Sequence, residues 1–242
     1  MIRTLLALAL MIFANGASAQ AVPKHPDLSG FWMWDGTPHP EELKAVMKAL
    51  PRGTVFLTDA GAVELGPGVF GGLKVKKAAL KAALAWTPKE ELEPENLCRK
   101  PSIIYAMQGP FPIEIYQGTE LIVFKLEYFD IVRTIHLGGA PRGEDAPHSE
   151  EGHSIGRWDG DALLVETTHL LPGTLTNNGL NHGEKVRLRE RFWLSKDSKT
   201  LFGTQLFEDP ETLENRGERF LSWRREAGYV FPYDCDPFAY TR

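Results

Sequence analysis

Cysteine is scarce in this sequence, with only Cys98 and Cys235 among its 242 residues. Two cysteines cannot supply the paired-Cys pattern of a structural zinc site, and no His-Glu-x-x-His motif is present. A Gly-x-Ser-x-Gly elbow, a P-loop and a dinucleotide-binding fingerprint are also lacking. The sequence therefore disfavours serine hydrolases, kinases and nicotinamide-dependent dehydrogenases, and it predicts neither a bound metal nor a cofactor.

Positive charge is not in excess either, because the formal net charge is −5. A modestly acidic chain argues against nucleic acid or an anionic membrane surface as partner. Beyond the N-terminus no apolar run approaches the length that spans a membrane. These absences leave a small molecule as the expected partner, and they do not indicate an oligomeric state.

The one long apolar run lies at the N-terminus, over Leu5–Ala14, after the positively charged start at Arg3. Ala17-Ser18-Ala19 follows with the small-x-small pattern of a cleavage site. Residues 1–19 are therefore predicted to be a secretory signal peptide, and the protein to be periplasmic or secreted. In an oxidising compartment the two cysteines either form a disulfide or stay as lone buried thiols.

The remaining chain, residues 20–242, is predicted to be a single domain that is mainly β, since 43% apolar residues suffice for one core. Helical spacing is found within an insertion of about residues 39–97, after the first strand. Alternating segments with tight turns predict strands at 27–34, 55–57, 112–116, 121–126, 129–137, 153–169 (a hairpin), 186–194, 201–207, 219–224 and 229–231. This order favours an antiparallel up-and-down barrel, with a β-sandwich as the alternative.

The first strand resembles the lipocalin superfamily through Gly30-Phe31-Trp32, together with Arg219, Arg224 and Arg225 near the last strand. In that superfamily a Gly-x-Trp tryptophan closes one end of the barrel and an arginine of the last strand lies across it. The resemblance implies a lipocalin-like barrel with a tryptophan–arginine contact at one end.

A longer resemblance is to a family of exported bacterial proteins of uncharacterised function, and it covers nearly the whole chain after the signal peptide. Its most specific segment is the hairpin over residues 152–167, Gly-His-Ser-Ile-Gly-Arg-Trp-Asp-Gly-Asp-Ala-Leu-Leu-Val-Glu-Thr. The chain departs from the family pattern around His182 and after Ile135. The resemblance implies a fold and the position of a site, and it implies no activity.

Charged residues on apolar strand faces are the first candidates for a site. Glu190 is the only acid on the face shared by Val186, Leu188, Phe192 and Leu194. A carboxylate in such surroundings is either paired or has a raised pKa, since burial disfavours its charge. We therefore expect Glu190 to be either a catalytic acid–base group or the partner of a core arginine.

Arg133 is a single charge on a second apolar strand, where it can bind a ligand anion or neutralise Glu190. His153, at the start of the hairpin, is the expected general base, because a neutral imidazole tolerates burial. His182, in the Gly/Asn-rich loop 172–183, is a second acid–base candidate, and Arg157 and Glu166 of the hairpin are candidate ligand-binding residues. For both histidines a purely structural role is the alternative.

Three functions are compatible with these residues. The first is an exported acid–base enzyme, a lyase, isomerase or hydratase without a cofactor. In it His153, Glu190 and His182 meet around an apolar or aromatic ligand inside the barrel. The second is a periplasmic binding or carrier protein, in which the same groups orient a ligand without turning it over. A structural envelope protein, with its polar groups facing solvent, is a third alternative.

Overall fold

A computed structural model describes residues 25–58 and 65–238 of the chain. The predicted signal peptide lies outside these ranges and stays a prediction. No helix within them is long and apolar enough to cross a membrane.

The chain forms a barrel in which nine strands follow one another in the order β1-β3-β4-β5-β6-β7-β10-β11-β12. Pairing of β1 with β12 closes the barrel, Trp34 lying opposite Trp223. The predicted mainly-β barrel is thereby confirmed. The barrel strands are β1 (Gly30–Trp34), β3 (Ile113–Gln117), β4 (Leu121–Leu126), β5 (Val132–Leu137), β6 (His153–Asp159), β7 (Ala162–Thr168), β10 (Arg187–Leu194), β11 (Thr200–Glu208) and β12 (Arg216–Glu226).

One pair differs from the antiparallel expectation, because β5 and β6 run parallel, with Ile135 beside Ser154. Parallel neighbours need a long connection, and the segment 138–152 supplies it. Three further strands lie outside the closed wall: β2 (Thr54–Phe56) pairs parallel with the start of β12, and β8 (Gly173–Thr176) pairs with β9 (Leu180–His182). The last two form a small hairpin where the sequence predicted a loop.

The helices fall where the insertion was predicted, between β1 and β3. Two of them are longer than one turn: α1 (Pro40–Ala49) and α2 (Lys77–Ala85). Prolines begin the next two, α3 (Pro88–Glu91) and α4 (Pro94–Leu97), and α5 (Ile103–Ala106) was not predicted. Between β1 and β2, which pairs with β12, helix α1 crosses the outside of the barrel.

Two strand predictions were wrong in part. The strand expected from Phe129 begins only at Val132, because Phe129 and Asp130 have positive φ angles in a tight 3-10 turn. The strand expected at 229–231 is irregular backbone. Ile131 and Val230 are buried there without joining the sheet, whereas Tyr229 and Phe231 are exposed.

Large side chains fill the interior along the inward-facing positions. Fully buried residues there include Trp32, Phe124, Phe192, Phe207 and Trp223. The Arg225 guanidinium lies 4.2 Å from the Trp32 ring centroid. It also donates to the backbone oxygens of Asp27 and Ser29, just before β1. This is the tryptophan–arginine contact that the lipocalin resemblance implied.

Cys98 and Cys235 form a disulfide, their Cα atoms 5.8 Å apart. It ties the end of α4 to the C-terminal segment across 137 residues of sequence. Of the two alternatives left open by the sequence, the disulfide is therefore the one observed.

Candidate functional site

Within residues 25–58 and 65–238, the barrel interior contains a charged pair, Arg133 and Glu190, whose side chains have no solvent exposure. A guanidinium nitrogen of Arg133 donates to Glu190 Oε2 and, at 2.7 Å, to the hydroxyl of Thr167. The Nε of Arg133 donates to Ser154 at 3.1 Å, and Gln205 donates to the other Glu190 oxygen, also at 3.1 Å. Both charges are therefore committed to protein partners.

Glu190 thus takes the second of the two roles that the sequence left open. Its carboxylate neutralises Arg133 and is held by two donors, and neither side chain is exposed to solvent. Burial of the pair is consistent with the alternation of β10, which places Glu190 among Leu188 and Phe192 as predicted.

His153 does not join this pair, because it lies on the opposite face of its strand. Ser154, not His153, stands beside Ile135 and Thr167 on the inside of the wall. The His153 ring is outside, 5.4 Å from the His136 ring, and its Nε2 lies 3.3 Å from the carbonyl oxygen of Ala140. Desolvation lowers the pKa of His153, and neighbouring positive charge lowers it further.

His182 is buried at a third place, in the β8–β9 hairpin. Its Nδ1 lies 2.9 Å from the Gly183 carbonyl oxygen, which only an N–H can satisfy. Its Nε2 therefore accepts from the Ser102 hydroxyl, at 2.6 Å. Burial lowers the pKa of His182, so the ring is neutral and serves as a structural link to the start of α5.

The prediction that His153, His182 and Glu190 come together in the barrel interior is therefore wrong. The three side chains occupy the outer face, the β8–β9 hairpin and the core, and each is bonded to its own neighbours. The physical cause is register: a shift of one residue along β6 exchanges the inner and outer faces.

Arg157 and Glu166, the two ligand-binding candidates, line a groove of about 470 Å³ on the outside of the wall. We call this the outer-wall groove. Its floor is formed by outward side chains of β6, β7, β10, β11 and β12, arranged in two rows by the strand pairing. The first row is Arg157, Leu164, Arg191 and Thr204, and the second is Ile155, Glu166, Arg189, Leu206 and Glu218.

Two segments form the rims of the outer-wall groove. Gly139 and Pro141 of the 138–152 connection lie on one side, and Ala49 and Pro51, at the end of α1, on the other. His153 contacts the first rim through the Ala140 oxygen, so its position supports the groove without lining it.

Helix α1 covers a second, smaller compartment of about 160 Å³, which continues the groove. Its residues Ala45 and Val46 face Trp193 on β10 across this space. No residue of α1 is buried, although its sequence has a clear apolar face. The helix is therefore held over the wall with a gap beneath it.

Glu218 lies in both compartments and is the most perturbed acid of the described residues. Desolvation raises its pKa to about 7, against a smaller opposite effect of the hydrogen bond with Thr204. No ion pair joins Glu218 to any residue of the described part of the chain. Near neutral pH this carboxyl group therefore exists in both protonation states.

Sequence analysis missed Glu218, Thr204 and the two arginines of β10 that line the groove. The outward alternation of Arg187, Arg189 and Arg191 was visible, but a basic outer face is ordinary on a solvated strand. No sequence pattern singled out Glu218 as a site residue, because its burial depends on α1 crossing over β12.

No three His, Cys, Asp or Glu side chains within 25–58 and 65–238 come together in a way that could hold a metal ion. No protein-family model matches the chain, and the comparison with curated proteins gives no match. One matching solved structure is a variant of the fluorescent protein UnaG, with 12% identity, a TM-score of 0.29, and coverage of 49% of this chain and 73% of that chain. A likeness this low carries no argument about function. The description of the fold as a barrel depends on the strand pairing of this chain alone.

Proposed function

We propose that this chain is an exported small-molecule-binding protein and that its ligand occupies the outer-wall groove. The observation that carries the proposal is the space of about 470 Å³ between the wall and the residues around α1. Ligand pockets commonly have volumes of about 300–1,000 Å³, with apolar walls and a few polar groups that orient the ligand. This groove has that composition, with Ile155, Leu164 and Leu206 between its charged side chains.

The half-exposed apolar face of α1 supports the same proposal. Leu43 and Val46 are only partly buried, and Met47 is 51% exposed. A ligand that extends from the groove into the smaller compartment would cover Val46 of this face and gain roughly 25 cal/mol for each Å² of apolar surface removed from water. The helix would thereby complete a site that the barrel wall alone leaves open.

Export is part of the proposal. The Cys98–Cys235 disulfide is typical of oxidising compartments, and it agrees with the predicted signal peptide and with the resemblance to an exported bacterial family. We place the protein in the periplasm or outside the cell.

The test uses N-phenyl-1-naphthylamine, a neutral aromatic probe whose fluorescence rises in apolar surroundings. We expect saturable binding to the wild-type protein and at least tenfold weaker binding to Leu164→Trp, since the indole would fill the groove. Val132→Trp, an equivalent change at an exposed outward position of β5, is the control and should bind as the wild type does. Equal binding by wild type and Leu164→Trp would place the ligand elsewhere.

An acid–base enzyme is the second candidate, and one observation favours it. Glu218 combines a pKa of about 7 with a place in the groove, as a proton-transfer group requires. Native mass spectrometry of the protein isolated from its own cells would detect a bound small molecule. That molecule is then incubated with the purified protein. If the protein is an enzyme, the wild type converts the molecule and the Glu218→Gln variant does not. If the protein is a carrier, the molecule is recovered unchanged.

A further inference from the structure

Two arginines of the outer-wall groove have no carboxylate partner among the residues that the structure describes. Within the described part of the chain, the Arg157 side chain forms no hydrogen bond or ion pair, and Arg191 has only a contact of 4.6 Å with the Trp193 ring. Arg189 differs, since its guanidinium lies 3.4 Å from Glu208. The groove therefore contains two positive charges that no carboxylate of residues 25–58 and 65–238 compensates.

Strand pairing places these two arginines on either side of one apolar residue. Leu164 pairs with Arg157 on one side and with Arg191 on the other. Neighbouring strands are about 4.8 Å apart, so the two arginine backbones are separated by roughly 10 Å. Arginine side chains at that spacing can both reach a group lying over Leu164. The first row of the groove holds no acid, and nothing in it opposes a negative charge there.

The second row limits how much negative charge the groove accepts. Glu166 and Glu218 both line it, and Arg189 and Leu206 lie between them in the row. A doubly charged head group would be repelled by these carboxylates, whereas a single charge over Leu164 would be balanced by the first row. The hydrophobic floor around Leu164 and Leu206 suits the rest of such a molecule.

We infer that the outer-wall groove selects an organic monoanion with an apolar body, its charged head held between Arg157 and Arg191. This inference rests on the proposed function, because it names the ligand class of the same groove. Charge-assisted hydrogen bonds contribute about 1.5–3 kcal/mol each, so loss of either arginine should weaken anion binding by roughly tenfold or more.

The test compares 2-naphthoate with 2-naphthamide, which have nearly the same size and differ in charge. Each is used to displace N-phenyl-1-naphthylamine from the wild-type protein, from Arg157→Met and from Arg191→Met. The carboxylate should bind at least tenfold more tightly than the amide to the wild type, and each substitution should remove most of that preference. Arg187→Met, on the same face of β10 but outside the groove, is the matched control and should keep it.

The outcomes separate this inference from the proposed function. If the probe binds but the acid and the amide compete equally, or if both are weakened alike by the substitutions, the anion preference is refuted and the binding site stands. Tighter binding of 2-naphthyl phosphate than of 2-naphthoate would refute the restriction to a single charge. If the probe does not bind the wild-type protein, the proposed function itself fails.

Discussion

Substitution of Glu190 by glutamine tests the account of the barrel interior most directly. The side chains of Glu190 and Arg133 have no exposure to solvent. Without the carboxylate charge, the guanidinium keeps only neutral acceptors, at Ser154, Thr167 and the new amide oxygen. Removing one partner of a buried ion pair costs about 3–5 kcal/mol. We therefore expect Glu190→Gln to lower the free energy of unfolding by about 4 kcal/mol.

The double variant Arg133→Met/Glu190→Met makes the prediction sharper, because it removes both charges together. Ser154 and Thr167 keep each other as partners at 2.8 Å, and only Gln205 loses an acceptor. Loss of one buried hydrogen bond costs about 1–3 kcal/mol. The double variant should therefore be more stable than Glu190→Gln, although it carries two substitutions.

Urea unfolding followed by tryptophan fluorescence gives these free energies by linear extrapolation. Glu226→Gln serves as the control, since Glu226 accepts from Arg224 at 2.6 Å on the exposed surface. An exposed pair of this kind contributes at most about 1 kcal/mol. The reasoning is refuted if Glu190→Gln costs no more than Glu226→Gln. If Glu190→Gln fails to fold, a folded double variant, judged by circular dichroism, still supports it, and an unfolded one contradicts it.

Three further predictions concern other parts of the molecule. Because the Glu218 pKa rises from 4.5 to about 7 on folding, stability should fall as pH rises through this window. Glu218→Gln should remove that fall and gain about 2 kcal/mol at pH 8, but nothing near pH 4, in unfolding titrations at both pH values. A Cys98→Ser/Cys235→Ser variant should lose about 5 kcal/mol in the same assay, since the disulfide closes a long loop; an effect below about 1 kcal/mol would contradict this. A Cβ at Gly156 would lie 2.7 Å from Ile135, so Gly156→Ala should lower the melting temperature by several degrees, whereas Gly143→Ala, with open space around it, should not.

The local alternation of apolar and polar residues was sufficient to predict most of the strands. Alternation with period two placed Leu188, Glu190 and Phe192 on one face of β10, and the structure has them inside. The same pattern identified Arg133 as a charge on an apolar strand face. Arg133 is buried because the apolar residues on that face are buried with it. The strand predictions at 129–131 and 229–231 were wrong because apolar residues also occur in turns and irregular chain, which composition does not distinguish from strands.

The hairpin 153–169 shows where pattern alone stops. The sequence separates His153, Ile155 and Arg157 from Ser154 and Gly156, and this division is correct. Each set mixes polar and apolar side chains, however, so hydrophobicity does not say which set faces inward. Pairing of β6 with β5 and β7 decides it, since Ser154 must lie beside Arg133 and Thr167 to satisfy the buried guanidinium.

The sequence by itself determined a mainly-β chain with a helical insertion, the sorting of side chains into two faces, and an acid, Glu190, and an arginine, Arg133, that belong to the core. These depend on interactions between residues close together in the chain. The tertiary structure decided that the two core charges neutralise each other, and that the candidate site lies outside the wall. Those outcomes depend on strand register and on the path of α1 over β10 to β12, which bring together residues far apart in sequence.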